Sequence, residues 1–201
     1  MISAGLYSVA ISIGNADDIT LRALEVLQQA DAVICEELRN GMRLLKAYGI
    51  DKPIFLLNEH STKEDVKQLF DDLLIRKKKA IALISDAGTP GFADPGAELI
   101  QICHEYGVPV YPVPGASSLM AALMVSGMRM ERFLFSGFLP AKREERIAAL
   151  QNIKLLPQYD IILMEAPYRL PSLLDDMIMI LGKKRRVRLF YKLTQPEEKI
   201  F

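Results

Sequence analysis

Short apolar, β-rich runs alternate along this chain with segments whose apolar residues recur at helical spacing, and that alternation constrains the fold more than any other feature. The runs at 6–11, 31–35, 53–57, 80–85 and 108–113 are nearly continuous in apolar residues, as in strands buried on both faces. Between them, 19–30, 63–77 and 97–107 repeat apolar residues with a helical period and read as crossover helices. Ser61 or Thr62, followed by Glu64 and Asp65, supplies an N-cap and an acidic first turn, while Lys77, Lys78 and Lys79 suit the negative end of that helix. Strand, helix and strand in repetition give an α/β fold with mainly parallel sheets.

At 111–118 two prolines and a glycine follow a strand and precede an apolar segment, a turn that marks a domain boundary. The expected units are an N-terminal α/β domain over 1–113 and a C-terminal α/β domain over 114–201, the second incomplete at its end. In the second, strands are expected at 132–138, 160–165 and 186–193, with helices at 142–155 and 172–181. Methionines at 120–130 and 177–179 fall on apolar faces and are expected in the core.

With 201 residues, half of them apolar, the chain can bury a real core. Lys plus Arg equals Asp plus Glu at 25 each, so no global field draws it to nucleic acid or an anionic membrane. The first residues lack a charged front and are broken by glycine, and no stretch reaches spanning length. A cytoplasmic protein without membrane contact is expected. Cys35 and Cys103 sit far apart inside apolar runs and read as reduced core residues; with only His60 and His104 besides, no metal centre is expected.

Ligands of open parallel sheets bind beyond the carboxyl ends of the strands. Four segments stand there: 12–18, 85–96, 112–118 and 165–169. The second holds three glycines, two prolines and two aspartates, a density that lets backbone come close to a ligand. Neither a G-x-G-x-x-G fingerprint after the first strand nor a Walker motif occurs, which counts against an ordinary dinucleotide fold and against nucleotide hydrolysis.

The segments IGNADDITLRALEVLQQAD, SDAGTPGFADPG, PVPGASSLMAAL, RFLFSGFLPAK and EAPYRL occur in the order found in the tetrapyrrole (corrin/porphyrin) methylase family, which this chain resembles along almost its whole length. It is most similar to the branch that methylates a cytidine ribose 2′-hydroxyl of small-subunit ribosomal RNA. The resemblance implies two α/β domains, S-adenosylmethionine in the cleft between them, and a homodimer. Matched position by position, it implies cofactor contacts at Ser85, Asp86, Ala87, Gly88 and Thr89, and at Gly115, Ser117, Ser118 and Ala121. Gly137, Phe138, Met164, Glu165 and Ala166 complete the set.

Where the methyl group already sits on a sulfonium, protein supplies orientation, exclusion of water and a base for the acceptor's proton. Glu36, Glu37, Glu59, His60, Asp86 and Asp94 are candidates for that base, with Glu36 preferred. The chain departs from the ribosomal branch at Ala10 to Asn15, Glu36 to Arg39, Asn58 to Ser61 and 165–169, all on the expected acceptor side. The acceptor therefore stays open between ribosomal RNA and a small, tetrapyrrole-like molecule, with a non-catalytic cofactor-binding module as a third reading. Basic runs at 141–146 and 183–188 could contact phosphates, although solvated faces explain each run taken singly.

Overall fold

The computed structural model describes residues 2–91, 96–128 and 131–201. They fall into two units: 1–121 with 192–198, and 122–191 with 199–201.

The first unit is built on five parallel strands in the order β3-β2-β4-β1-β5. These are β1 (Gly5–Val9), β2 (Ala32–Cys35), β3 (Ile54–Leu56), β4 (Ala80–Leu83) and β5 (Val110–Val113). Register is set by pairs such as Ser8 with Leu83 and Val9 with Val113. Successive strand residues enter opposite cores. Tyr7 and Val33 pack with Ala23, Val26 and Leu27 on one face, and Leu6 and Ile34 pack with Leu57, Val66 and Phe70 on the other. Burying each such aliphatic side chain contributes about 1.5–3 kcal/mol, so the continuous apolar strands are explained by helices covering both faces.

Helix α1 (Leu21–Gln29) begins where the Thr20 hydroxyl accepts from the Ala23 amide. Thr62 caps α3 (Lys63–Leu69) through a reciprocal box with Asp65, the acceptor role expected of it. The continuous helix expected over 63–77 changes winding, however. Phe70–Arg76 takes π-helical turns that keep Phe70, Leu73 and Leu74 buried. Helix α4 (Gly96–Glu105) returns the chain to β5.

Helix α2 (Leu38–Ala47) was not among the helices expected. Its apolar residues Leu38, Met42 and Leu45 do recur at helical spacing, but only Gly41 and Leu45 are buried along it. Gly41 is needed where α2 meets β2, since a Cβ there would lie 2.7 Å from Cys35 Sγ.

Helix α5 (Ser118–Val125) carries the chain from the first unit into the second. The second unit pairs β6 (Phe133–Phe138) with β7 (Asp160–Met164) in parallel, followed by α6 (Arg143–Lys154) and α7 (Leu170–Leu181). Leu139, Leu150, Ile153 and Leu173 form its buried core. Arg146 and Asp176 are buried with them as an ion pair, Nη2 to Oδ2 2.7 Å, and the Arg143 Nε donates to Oδ1 at 3.0 Å. Burial would raise the Asp176 carboxyl, but hydrogen bonds from Arg146 and Arg143 outweigh it and hold the group below its usual range.

Two expectations fail here. The strand expected over 186–193 is confined to β8 (Phe190–Tyr191), antiparallel to β9 (Lys199–Ile200), because 183–188 is a run of charge rather than a buried edge. The methionines are also not core residues as a group: Met120, Met124, Met128 and Met179 are exposed, Met124 to 82%, and only Met177 packs against the second unit's core. Met130 lies outside the described residues. Cys35 and Cys103 are buried free thiols, each pushed up to about 11, Cys103 by burial and Cys35 by burial and then by the Asp86 and Glu37 charges. Among the described residues no helix is long and apolar enough to cross a membrane.

Candidate functional site

In the first unit β1 lies between β4 and β5, so the loops leaving these three strands meet at one end of the sheet. Backbone bonds tie them together. Ala10 N donates to Val113 O at 3.0 Å, Ile11 N to Gly88 O at 2.9 Å, and Gly88 N to Ser12 O at 3.2 Å. The Thr89 hydroxyl donates to Ala116 O at 3.1 Å. Ser85, Asp86, Ala87, Gly88, Thr89, Gly115, Ser117 and Ser118 are therefore neighbours along one strand-end rim, and Ala121 follows in α5.

Gly88 has φ +77°, and a Cβ on it would stand 3.0 Å from Ile13 Cγ2 and 3.5 Å from Ala116 O. A side chain would thus be strained in its backbone and would crowd the rim. Ser85 is buried and donates from Oγ to Ala87 O, fixing the start of the loop. Asp86 is exposed, and the Asn40 amide of α2 donates to its Oδ2 at 2.8 Å. Asp94, one candidate for the base, lies outside the described residues.

Of the other carboxylates near strand ends, Glu37 caps α2, with Oε1 accepting from the Arg39 amide at 3.4 Å. Glu36 directly follows β2 and is half-buried. Glu59 and His60 are both strongly exposed and sit beside each other, 3.8 Å apart. Nothing in the packing orients that pair toward the strand-end rim.

The second unit has a rim of its own. Register pairs Gly137 with Leu163 and Phe138 with Met164, so 137–138 and 164–166 are adjacent at the carboxyl ends of β6 and β7. Gly137, with φ +60°, follows a bulge at which the register shifts. Glu165 Oε1 accepts from the Ala166 amide at 2.8 Å and stands 3.1 Å from Arg169 Nε, an ion-pair contact without hydrogen-bond alignment. Arg169 Nη2 in turn donates to Leu139 O and Pro140 O, locking 137–140 against 165–169. The Glu165 side chain is only 6% exposed, yet its Oε2 has no hydrogen-bond partner among the described residues. A buried carboxylate oxygen left this way is costly unless a ligand satisfies it.

Three contributors were not singled out from the sequence. Asn40 sits on the unexpected helix, and nothing local ties it to Asp86. Arg169 falls within the quoted EAPYRL segment, and its spacing of four from Glu165 was the available sign. The third is 192–198, which returns to the first unit. The Asn15 amide donates to Thr194 Oγ1 at 3.1 Å, Thr194 N donates to Glu198 Oε2 at 2.6 Å, and the Gln195 side chain lies over Gly14. Lys192 and Thr194 adopt φ +50° and +67° there, strained values for residues with a Cβ.

Each rim thus carries a carboxylate of its own, Asp86 exposed on the first and Glu165 buried with an unpartnered oxygen on the second. Among the described residues no group of three His, Cys, Asp or Glu could hold a metal ion. The fold is that of a parallel α/β protein with irregular loops at the carboxyl ends of its strands.

The profile of the tetrapyrrole (corrin/porphyrin) methylases matches residues 5–201, and the chain belongs to that family. It is a methyltransferase whose methyl donor is S-adenosylmethionine. Ribosomal RNA small subunit methyltransferase I of Haemophilus influenzae is 43% identical over 97% of this chain and 68% of its own length. That of Pseudomonas aeruginosa is 41% identical over 99% of this chain and 70% of its own. Among solved structures, diphthine synthase superposes with a TM-score of 0.71 at 18% identity, covering 97% of this chain and 80% of that one. Cobalt precorrin-4 methyltransferase gives a TM-score of 0.65 at 23% identity, over 98% and 83%. These two likenesses speak to the fold alone.

Proposed function

We propose that this chain transfers a methyl group from S-adenosylmethionine to a ribose 2′-hydroxyl of small-subunit ribosomal RNA. The observation that carries this reading is identity of 40–43% to relatives named ribosomal RNA small subunit methyltransferase I, sustained over nearly the whole chain. Each unit's strand-end rim carries residues proposed for donor binding. In the first, Ser85, Asp86, Ala87, Gly88, Thr89, Gly115, Ser117, Ser118 and Ala121 contribute; in the second, Gly137, Phe138, Met164, Glu165 and Ala166. The cofactor supplies an electrophilic methyl group on sulfur, so the protein need not activate it.

This chain's own residues do the rest. Close backbone at Gly88 and Gly115 shapes the rim, and the carboxylates of Asp86 and Glu165 favour positive charge on the donor. Glu36 receives the proton that leaves the acceptor hydroxyl. A cytoplasmic location accompanies this reading, since a ribosomal acceptor would be met there. It acts as a homodimer, a reading supported by the apolar residues left exposed at Met120, Met124, Val125, Phe133, Leu134 and Phe138.

The test is methyl transfer from labelled S-adenosylmethionine to small ribosomal subunits lacking the modification, followed by alkaline hydrolysis of the RNA. A label retained in alkali-resistant dinucleotides is the expected result. Label on a base, or transfer to a tetrapyrrole and to no RNA, would overturn the reading. Loss of transfer in Glu36→Gln with unchanged donor binding would assign the base.

A further inference from the structure

Although the chain has no net charge, 183–188 contains Lys183, Lys184, Arg185, Arg186 and Arg188 and no acidic residue. All five are exposed, and none has a carboxylate within 4.0 Å among the described residues. Several other cations of the same unit are paired. Lys142 pairs with Glu145, Arg143 and Arg146 with Asp176, and Arg169 with Glu165. The dipole of α7, which ends at Leu181, accounts for cations in or near its last turn. Lys183 and Lys184 fit that explanation. Arg185, Arg186 and Arg188 lie beyond its reach.

The loop is framed at both ends. Gly182 turns the chain with φ +84°, and Arg185 N donates back to Gly182 O at 3.2 Å. At the far end Leu189 and Phe201 exchange backbone hydrogen bonds of 3.1 and 2.9 Å. Five like charges are thereby held on a short arc, where they repel one another but lose little further backbone freedom on meeting a polyanion. Three of the five are arginines, whose planar fork matches phosphate oxygens in pairs.

Position adds to this. Helices α6 and α7 each return from the carboxyl ends of β6 and β7, which brings the end of α7 to the amino edge of that sheet, opposite the rim carrying Gly137 and Glu165. Arg132 and Lys154 flank the same edge in the chain. A strand of five residues separates the two edges by about 17 Å at ~3.3 Å per residue. Contacts made so far from the reacting atoms position a nucleic acid without reading its sequence.

We propose that 183–188 is a phosphate-docking loop that seats the RNA acceptor by its backbone, away from the methyl-transfer site; this rests on the ribosomal RNA reading above. An anionic lipid surface fits less well, because the adjoining α7 carries Asp175 and Asp176 and no lysine or arginine, unlike an interfacial basic helix.

The test compares the full-length wild type with Lys183→Ala/Lys184→Ala/Arg185→Ala/Arg186→Ala and with a charge control, Lys77→Ala/Lys78→Ala/Lys79→Ala in the other unit. Affinity for small-subunit RNA is measured across salt concentration, alongside KM and kcat for methyl transfer and calorimetric binding of S-adenosylmethionine. Four lost phosphate contacts reduce the steepness of log K against log salt by about three, at ~0.7–0.9 per contact. KM for RNA rises about tenfold or more, while kcat at saturating RNA and donor affinity stay as in wild type. An unchanged salt slope in an enzyme that methylates RNA overturns the docking loop and leaves the ribosomal reading standing. An equal loss in the control reduces the effect to net charge and overturns it as well. Wild type that binds donor but neither binds nor methylates small-subunit RNA overturns the reading itself. Binding to phosphatidylglycerol vesicles lost in the loop variant, with RNA binding intact, would assign the loop to membranes instead.

Discussion

Asp86 and Asn40 show how a single contact can bind the site to the scaffold. The carboxylate stands on a loop after β4, and its Oδ2 is held by an amide from α2, an element 46 residues earlier. If Asp86 helps hold the donor, Asp86→Ala lowers the affinity for S-adenosylmethionine by about tenfold or more, as expected for a charged hydrogen bond worth ~1.5–3 kcal/mol. Asn40→Ala lowers it less, and adds nothing in the Asp86→Ala background. Calorimetric titration of the two single variants and the double decides this, and additive losses would mean that Asn40 does not work through Asp86. Asp176 makes a second case, one of stability rather than binding. Its folded carboxyl titrates below the usual range, so its pairing with Arg146 and Arg143 contributes fully above that range and is lost as pH falls through the lowered value. Asp176→Asn leaves Arg146 buried without its anion and costs about 3–5 kcal/mol at neutral pH. Denaturant melts from pH 7 downward should show the gap between variant and wild type closing as wild type loses its own carboxylate; a constant gap would count against the assignment.

Among the elements, α2 tests whether packing or propensity governs. Gly41→Ala gains about 1 kcal/mol of helix propensity, but the new Cβ would lie 2.7 Å from Cys35 Sγ, and overpacking of this kind costs about 1–3 kcal/mol. Net destabilisation is expected, largely relieved in Gly41→Ala/Cys35→Ala, where the sulfur is gone. A Gly41→Ala protein more stable than wild type would mean that α2 shifts freely on the sheet. Helix α2 was itself legible, since Leu38, Met42 and Leu45 recur at i, i+4 and i+7, although no helix was expected there. The five strands of the first unit and the capped start of α3 were legible because continuous apolar runs and hydroxyl caps are local signals. The positions of 85–89 and 115–118 on one rim follow from strand order, and so were expected only through strand-end reasoning and family likeness. Thr194 over the 12–18 loop depends on a contact across 179 residues, for which no local signal exists. Likewise the methionines of α5 looked like core because the helix is apolar all round, and periodicity cannot say which apolar face finds a partner.

Across the whole molecule, the two units differ in how much core they own. In the first, β1, β2 and β4 each have neighbours on both sides in the sheet, and two buried clusters cover the two faces. The second rests on the β6–β7 pair and, among the described residues, four buried apolar side chains, with an ion pair buried among them. Two-stranded sheets are marginal without packing support, and stability is distributed by local contact density rather than shared evenly. Native-state hydrogen exchange should therefore separate the units. Amides of β1, β2 and β4 exchange only through global opening, while those of β6 and β7 exchange through a cheaper opening of the second unit. Saturating S-adenosylmethionine should slow β6 and β7 if Gly137, Phe138, Met164, Glu165 and Ala166 hold it, because a ligand that binds only the closed form stabilises it by mass action. At a hundred times its Kd that stabilisation is about 2.7 kcal/mol, close to a hundredfold slowing of any exchange that requires release. Protection confined to loops of the first unit would restrict the donor site to that unit. Equal exchange in β1, β2, β4, β6 and β7 before ligand is added would mean that the second unit draws its stability from outside its own core, and dilution of the protein would then tell whether a second copy provides it.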